Sequence, residues 1–158
     1  MKNTIQKFIL SIGICQLAGI IGALFNSSSI KTWYVTLQKP TFNPPNWVFA
    51  PVWLTLYLLM GISLFLVLVS KASPQLKQTA IIFFAIQLVL NTFWSFFFFF
   101  LKNPFLGLIE IIVLIVFIIL TVIWFHRVRP VASILLWPYL LWCLFAAFLN
   151  YSLWQLNK

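Results

Sequence analysis

Apolar residues fill the chain in five blocks, roughly 6–25, 47–69, 79–101, 105–125 and 131–154, separated by short polar punctuation. A helix needs about 20 mostly apolar residues to cross the hydrocarbon of a bilayer, and each block is long enough to do so alone. None shows the two-residue alternation of a membrane barrel strand. The run Phe96 to Phe100 is apolar on every side, which suits a helix and excludes a β-barrel. The pattern predicts an all-α, polytopic membrane protein, one domain over 1–158 with five transmembrane helices. The later connections are short, so the last four helices are expected to form an up-down bundle of antiparallel neighbours.

Polar and proline positions mark the ends. Asn46 or Asn43 is placed to cap the second helix, and Pro51, one turn inside it, is expected to bend its start. Asn103-Pro104 reads as a cap followed by a first-turn proline, and Pro130 opens the fifth helix. Pro138 falls inside that fifth helix and frees a carbonyl that neighbours must satisfy. Lys2 and Lys7 before the first apolar block resemble a secretory signal. The run is long for one, however, and no small-x-small cleavage site follows, so a permanent helix is expected. Its Gly13, Ala18, Gly19, Gly22 and Ala23 offer a surface where another backbone can approach closely.

One connection is not minimal. About twenty residues, 26–46, separate the first two helices, and a loop of that length in a compact domain is usually functional or disordered. Trp33, Tyr34, Leu37, Phe42 and the prolines at 40, 44 and 45 make it stiff and apolar, because proline lowers the entropy lost on ordering. Such a segment suits a lid folded over the bundle mouth. An interfacial aromatic belt with no ligand beneath it is the alternative.

Within the helices, Gln87, Asn91, Trp94 and Ser95 fall on one face, as do Trp53, Tyr57, Met60 and Gly61. Trp142, Ala146 and Leu149 line a face of the fifth helix beside Asn150. Asn91 at mid-membrane must find a partner, either another helix or a bound polar group. Trp124, Trp137 and Trp154 suit interfacial anchoring, whereas Trp53, Trp94 and Trp142 lie deeper. Glu110, the only acid, has no second carboxylate or histidine to work with. It is read as a structural polar contact rather than a proton site. Cys15 and Cys143 lie in apolar stretches and His126 has no co-ligand, so no metal site and no catalytic residue is proposed.

Composition sharpens the class. The 158 residues are 63% hydrophobic and 7% charged, with mean hydropathy +1.07, against roughly 45–50% and 25% in a soluble domain. The +9 net charge would suggest nucleic acid in a soluble protein. Here the cations are scattered between apolar blocks and build no phosphate-binding face. They serve orientation instead. Lys2, Lys7, Lys71, Lys77, Arg127 and Arg129 fall on the N-terminal side, against Lys31, Lys39, Lys102 and Lys158 on the other. That bias predicts a cytoplasmic N-terminus, and the lack of a presequence favours a prokaryotic inner membrane.

Three stretches carry a family resemblance. The first runs Trp33-Tyr34-x-x-Leu37-Gln38-Lys39-Pro40, then Asn43-Pro44-Pro45-Asn46-Trp47-Val48-Phe49-Ala50-Pro51-Val52-Trp53, then Leu56-Tyr57-x-x-Met60-Gly61. The others are Gln87-Leu88-x-Leu90-Asn91-x-x-Trp94 and Pro138-Tyr139-Leu140-x-Trp142-x-x-Phe145-Ala146-x-x-Leu149-Asn150-Tyr151. Together they resemble the tryptophan-rich sensory protein family, also called translocator protein or peripheral-type benzodiazepine receptor (TspO/MBR). The resemblance implies a five-helix bundle, often a homodimer, that binds porphyrins such as protoporphyrin IX, benzodiazepine-type ligands and, in animals, cholesterol.

It also implies a pocket under the first loop formed by Tyr34, Pro45, Trp53, Asn91, Trp94, Trp142, Ala146 and Leu149. Porphyrin is then a ligand and no cofactor is required. The cholesterol pattern of animal members is incomplete here, because Gln155 stands where its basic residue is expected and Lys158 lies one residue too far. The implied function is a membrane receptor or sensor with a regulatory or transport-linked role. Light- and oxygen-dependent porphyrin degradation and sterol or porphyrin transport are the alternatives.

Overall fold

The computed structural model describes residues 2–158, apart from the side chain of Lys2, so the Lys2 of the charge count lies outside the described side chains. Helices run in the order α1 (Lys2–Asn26), α2 (Asn46–Leu68), α3 (Pro74–Ser95), α4 (Pro104–Val128), α5 (Pro130–Ile134) and α6 (Trp137–Leu156). A 3-10 turn at Tyr34–Thr36 lies in the long loop, and a π-turn at Phe96–Phe100 extends α3. Five spans are long and apolar enough to cross a membrane, the fifth being α5 and α6 together. The all-α, five-span reading of the sequence holds.

Several helix ends follow the predicted chemistry. Asn103 Oδ1 accepts from the backbone N–H of Phe105 and of Leu106, each at 3.1 Å, and Pro104 opens α4. Ser73, not singled out in the sequence, caps α3 by accepting from Leu76 N–H at 3.3 Å, so that helix starts five residues earlier than the apolar block does. Neither Asn43 nor Asn46 caps α2. Its N-cap is Pro45, and Asn46 is already helical. The fifth span, expected to be one helix with Pro138 inside it, is broken in two. Pro138 has no N–H to give and its ring crowds the carbonyl four residues back, on Ile134. Ile134 is the last residue of α5, and Pro138 sits in the first turn of α6.

The bundle is not a simple up-down run of the last four helices. Helix α1 packs along both α2 and α3, which barely meet each other, while α4 joins α3 to α6. Missing side chains admit α1 to that place. A Cβ on Gly61 would lie 2.8 Å from Ile12 Cα, and one on Gly19 would lie 2.5 Å from Tyr57 Cε2. Such close backbone approach drives helix association where the surrounding lipid is as apolar as the side chains. Gly13 of the same stripe faces open space, with no atom within 4 Å of its Cβ position.

Polar side chains knit the interior. Tyr57 OH donates to Asn91 Oδ1, and Asn91 Nδ2 donates to Tyr139 OH at 3.0 Å. Tyr139 OH in turn donates to Gln87 Oε1 at 2.8 Å. This chain joins α2, α3 and α6 and gives the Asn91 amide a partner on each side, while Gln87 Nε2 has none among the described residues. Glu110 does not join it. Its carboxyl is buried and neither oxygen has a partner among the described residues, so the expected structural polar contact is not made. The Tyr139 hydroxyl is already committed between Asn91 and Gln87. Both cysteines are free and wholly buried, as packing residues.

Candidate functional site

The long loop folds back over one end of the bundle. Tyr34 is buried against Phe98 and Phe99, with ring centroids 6.4 and 5.6 Å away, and Trp33 meets Phe98 at 5.6 Å. Tyr34 OH donates to Asn43 Oδ1 at 3.0 Å. Burial pushes the Tyr34 phenol up and the Asn43 bond draws it partly back, so it remains a donor through the neutral range. Lys39 Nζ lies 4.8 Å from the centroid of the same ring, and Phe42 stacks on Phe148 at 5.1 Å.

The far end of the loop is clasped by the C-terminal end of the chain. Asn157 Oδ1 accepts from Gln38 N–H at 2.8 Å, and Asn157 Nδ2 donates to Gln38 C=O at 2.9 Å. Two such bonds contribute roughly 1–3 kcal/mol together. Asn157→Ala is therefore expected to speed hydrogen exchange at the Gln38 amide by about 10- to 100-fold with helix content unchanged. Unaltered protection at Gln38 would show that the aromatic contacts alone hold the loop.

Two cavities adjoin beneath this loop. The smaller, about 140 Å³, takes Tyr34 from the loop, Phe98 from the π-turn, and Trp142, Ala146 and Leu149 from α6. The larger, about 390 Å³, lies between α1, α2 and α3, with Gly19, Gly22, Tyr57 and Asn91 among its walls. Trp53 and Trp94 line both, as do Asn26, Ile30, Asn46 and Phe49. The larger alone reaches the size of ordinary small-molecule sites, roughly 300–1,000 Å³.

Seven of the eight residues expected at the site thus lie on one or other cavity. They are divided, however: Asn91 is on the larger, and Tyr34, Trp142, Ala146 and Leu149 are on the smaller. Trp94 is held at the junction because its Nε1 donates to Asn150 Oδ1 at 3.2 Å and its ring stacks on Phe98 at 5.1 Å. Asn150 in turn donates from Nδ2 to Pro104 C=O at 2.7 Å, which ties α6 to the start of α4. Asn91 spends its carbonyl on Tyr57 and one N–H on Tyr139, so its first role is interhelical. Pro45 lines neither cavity. It is exposed at the corner where the loop enters α2, with its carbonyl accepting from Val48 N–H at 3.0 Å.

The TspO/MBR family model matches residues 11–155. The chain belongs to the TspO/MBR family. Relatives cover nearly its full length. It is 42% identical over 157 residues to the tryptophan-rich protein TspO of Chlorobaculum tepidum, with 99% of each chain covered. To the tryptophan-rich protein TspO of Archaeoglobus fulgidus it is 41% identical over 153 residues, covering 97% of this chain and 98% of that one. The translocator protein of Bos taurus is 35% identical over 146 residues, with 90% and 85% covered.

Some lining residues of this TspO/MBR chain escaped the sequence reading. Phe49 is four residues before Trp53 and eight before Tyr57, so helical spacing signals it. Phe98 carries no such signal, since only the π-turn decides which of five consecutive phenylalanines face inward; Phe98 and Phe99 are buried and Phe100 is exposed. A π-turn is a rare insertion that often marks functional positions. Asn26 and Ile30 sit at the start of the loop, where no periodicity applies.

Proposed function

We propose that this TspO/MBR membrane protein is a receptor for porphyrins, protoporphyrin IX foremost, and for benzodiazepine-type and other flat apolar ligands, held under the first loop. One observation carries the reading: indoles from two helices, Trp53 and Trp94, wall two adjoining cavities, and a third, Trp142, walls the smaller, which Tyr34 roofs. Flat aromatic faces around a mostly apolar space, with a few amides among them, are the chemistry such a guest needs. The role that fits is regulatory or linked to transport.

We place the protein in a prokaryotic inner membrane with its N-terminus in the cytoplasm. The end that shares a side with the N-terminus carries Lys7, Lys71, Lys77, Arg127 and Arg129, and such a surplus favours the cytoplasmic face. That orientation puts the loop on the outer side.

Titration of the purified protein in detergent with protoporphyrin IX, followed by quenching of tryptophan fluorescence, tests the proposal. Saturable, single-site quenching is expected, with a sterol binding more weakly because Gln155 replaces the basic residue of the sterol pattern. Quenching that rises linearly without saturation would overturn the receptor reading.

A further inference from the structure

The end of the bundle opposite the loop is cationic, and no acidic side chain balances it. Lys71 lies just past α2, Lys77 in the first turn of α3, Arg127 in the last turn of α4 and Arg129 at its C-cap. The only acidic side chain of the protein is Glu110. It is buried near the other end of α4, about 25 Å from Arg127 along an axis that rises about 1.5 Å per residue.

The fold gathers these cations. Helices α3 and α4 pack side by side, with Phe84 stacked on Phe125 at 5.4 Å and Phe83 on Trp124 at 6.1 Å, so the start of α3 lies beside the close of α4. Lys77 Nζ donates to Ser70 C=O at 3.2 Å, which draws it over the connection from α2. Ser63 Oγ donates to Ala132 C=O at 2.6 Å, which holds the turn after Arg129 against α2. Arg127 Cζ lies 4.6 Å from the centroid of the Trp124 ring. A guanidinium placed by an indole, with no carboxylate to neutralise it, is ready for an anion from outside.

An apolar strip leads away from the charge. Trp124, Phe83 and Phe117 are half-buried in the seam between α3 and α4, with Phe83 and Phe117 6.3 Å apart. Ile86, one turn from Phe83, and Val113, one turn from Phe117, are exposed. None of these residues borders either cavity. A cationic head followed by an apolar track toward mid-membrane has the polarity pattern of one lipid, with its phosphate at the face and its acyl chain below.

We infer that the α3–α4 seam binds an anionic phospholipid, with its phosphate on Arg127, flanked by Lys77 and Arg129, and its acyl chain along Phe83 and Phe117. Basic clusters between helices at a membrane face take anionic headgroups. A zwitterionic lipid brings its own cation, which these side chains repel. The site is separate from the space under the loop and does not depend on what binds there.

Native mass spectrometry of the full-length protein in detergent, titrated with dioleoyl phosphatidylglycerol or dioleoyl phosphatidylcholine, tests this. One phosphatidylglycerol is expected to bind about tenfold or more tightly than phosphatidylcholine, because several cations face one phosphate. Arg127→Gln is expected to weaken it by about fivefold, the effect of one cation near an anionic surface, and the double change with Arg129→Gln by about 25-fold. Lys102→Gln, at the loop end, is expected to change it by less than about twofold, since charges beyond a Debye length are screened. Glycerol 3-phosphate and dihexanoyl phosphatidylglycerol are each expected to bind about tenfold more weakly or worse, for want of buried methylenes. Equal binding of the two dioleoyl lipids, no loss in either arginine variant, or an equal loss in Lys102→Gln overturns the inference. Glycerol 3-phosphate binding as tightly as the lipid gives the cations to a free phosphate, and a dimer that carries no phosphatidylglycerol gives the seam to a second copy; either result also overturns it.

Discussion

Trp53→Ala and Trp142→Ala are each expected to weaken protoporphyrin binding by about 30-fold or more, while Trp154→Ala changes it by less than about twofold. The magnitude is that of truncating a tryptophan at the centre of an interface, roughly 2 kcal/mol. The contrast comes from placement. Trp53 sits 5.6 Å from Tyr57 and 6.4 Å from Tyr139, and Trp142 sits 5.9 Å from Phe49 and 5.5 Å from Phe145. These neighbours hold each indole at the cavity wall. Trp154 is as aromatic as either but packs on Phe105 at 5.0 Å and takes Lys158 Nζ over its ring at 5.3 Å, bordering neither cavity. The porphyrin absorbance band is the appropriate readout, since the substitutions themselves change tryptophan emission. Equal affinities in the three variants would move the guest out of this site altogether.

Gly61→Val is expected to be the most damaging single change to the fold. The first added carbon would lie 2.8 Å from Ile12 Cα and 3.2 Å from Ile12 N, so the clash is with main chain and no rotamer relieves it. Helix α1 must move away from α2, and overpacking of this kind costs about 1–3 kcal/mol or more. The damage reaches the cavities too, because Gly19 and Gly22 of α1 line the larger one. Gly13→Val on the same helix is the control: with open space at its Cβ position, a change within about 0.5 kcal/mol is expected. Thermal unfolding in detergent measures both. Comparable losses at the two glycines would mean that the α1–α2 contact does not depend on close approach.

The two glycines also show where legibility ends. Both stand in apolar blocks, and local spacing does not say which of them meets another backbone. Gly61 sits under another backbone and Gly13 faces outward only because of how α1 is rotated in the bundle. Asn91 makes the same point about function. Its depth in an apolar helix demanded a partner, but whether that partner was protein or ligand depended on the two tyrosines brought in from α2 and α6. Pro138 was legible as a disruption and not as a complete break, because its effect depends on whether the chain around Ile134 can leave the helix and pack elsewhere.

The five spans, the all-helical class and the stiffness of the long loop follow from chain composition alone. In hydrocarbon every main-chain group must be bonded internally, by a helix or a closed barrel, and long apolar blocks without two-residue alternation leave helices before any packing is known. The order in which those helices touch, the inward turn of Phe98 and the meeting of Tyr57, Asn91 and Tyr139 in the interior are properties of the assembled bundle. They arise from contacts between residues far apart in the chain, made by shape among nearly uniform apolar surfaces, and local spacing carries no record of them.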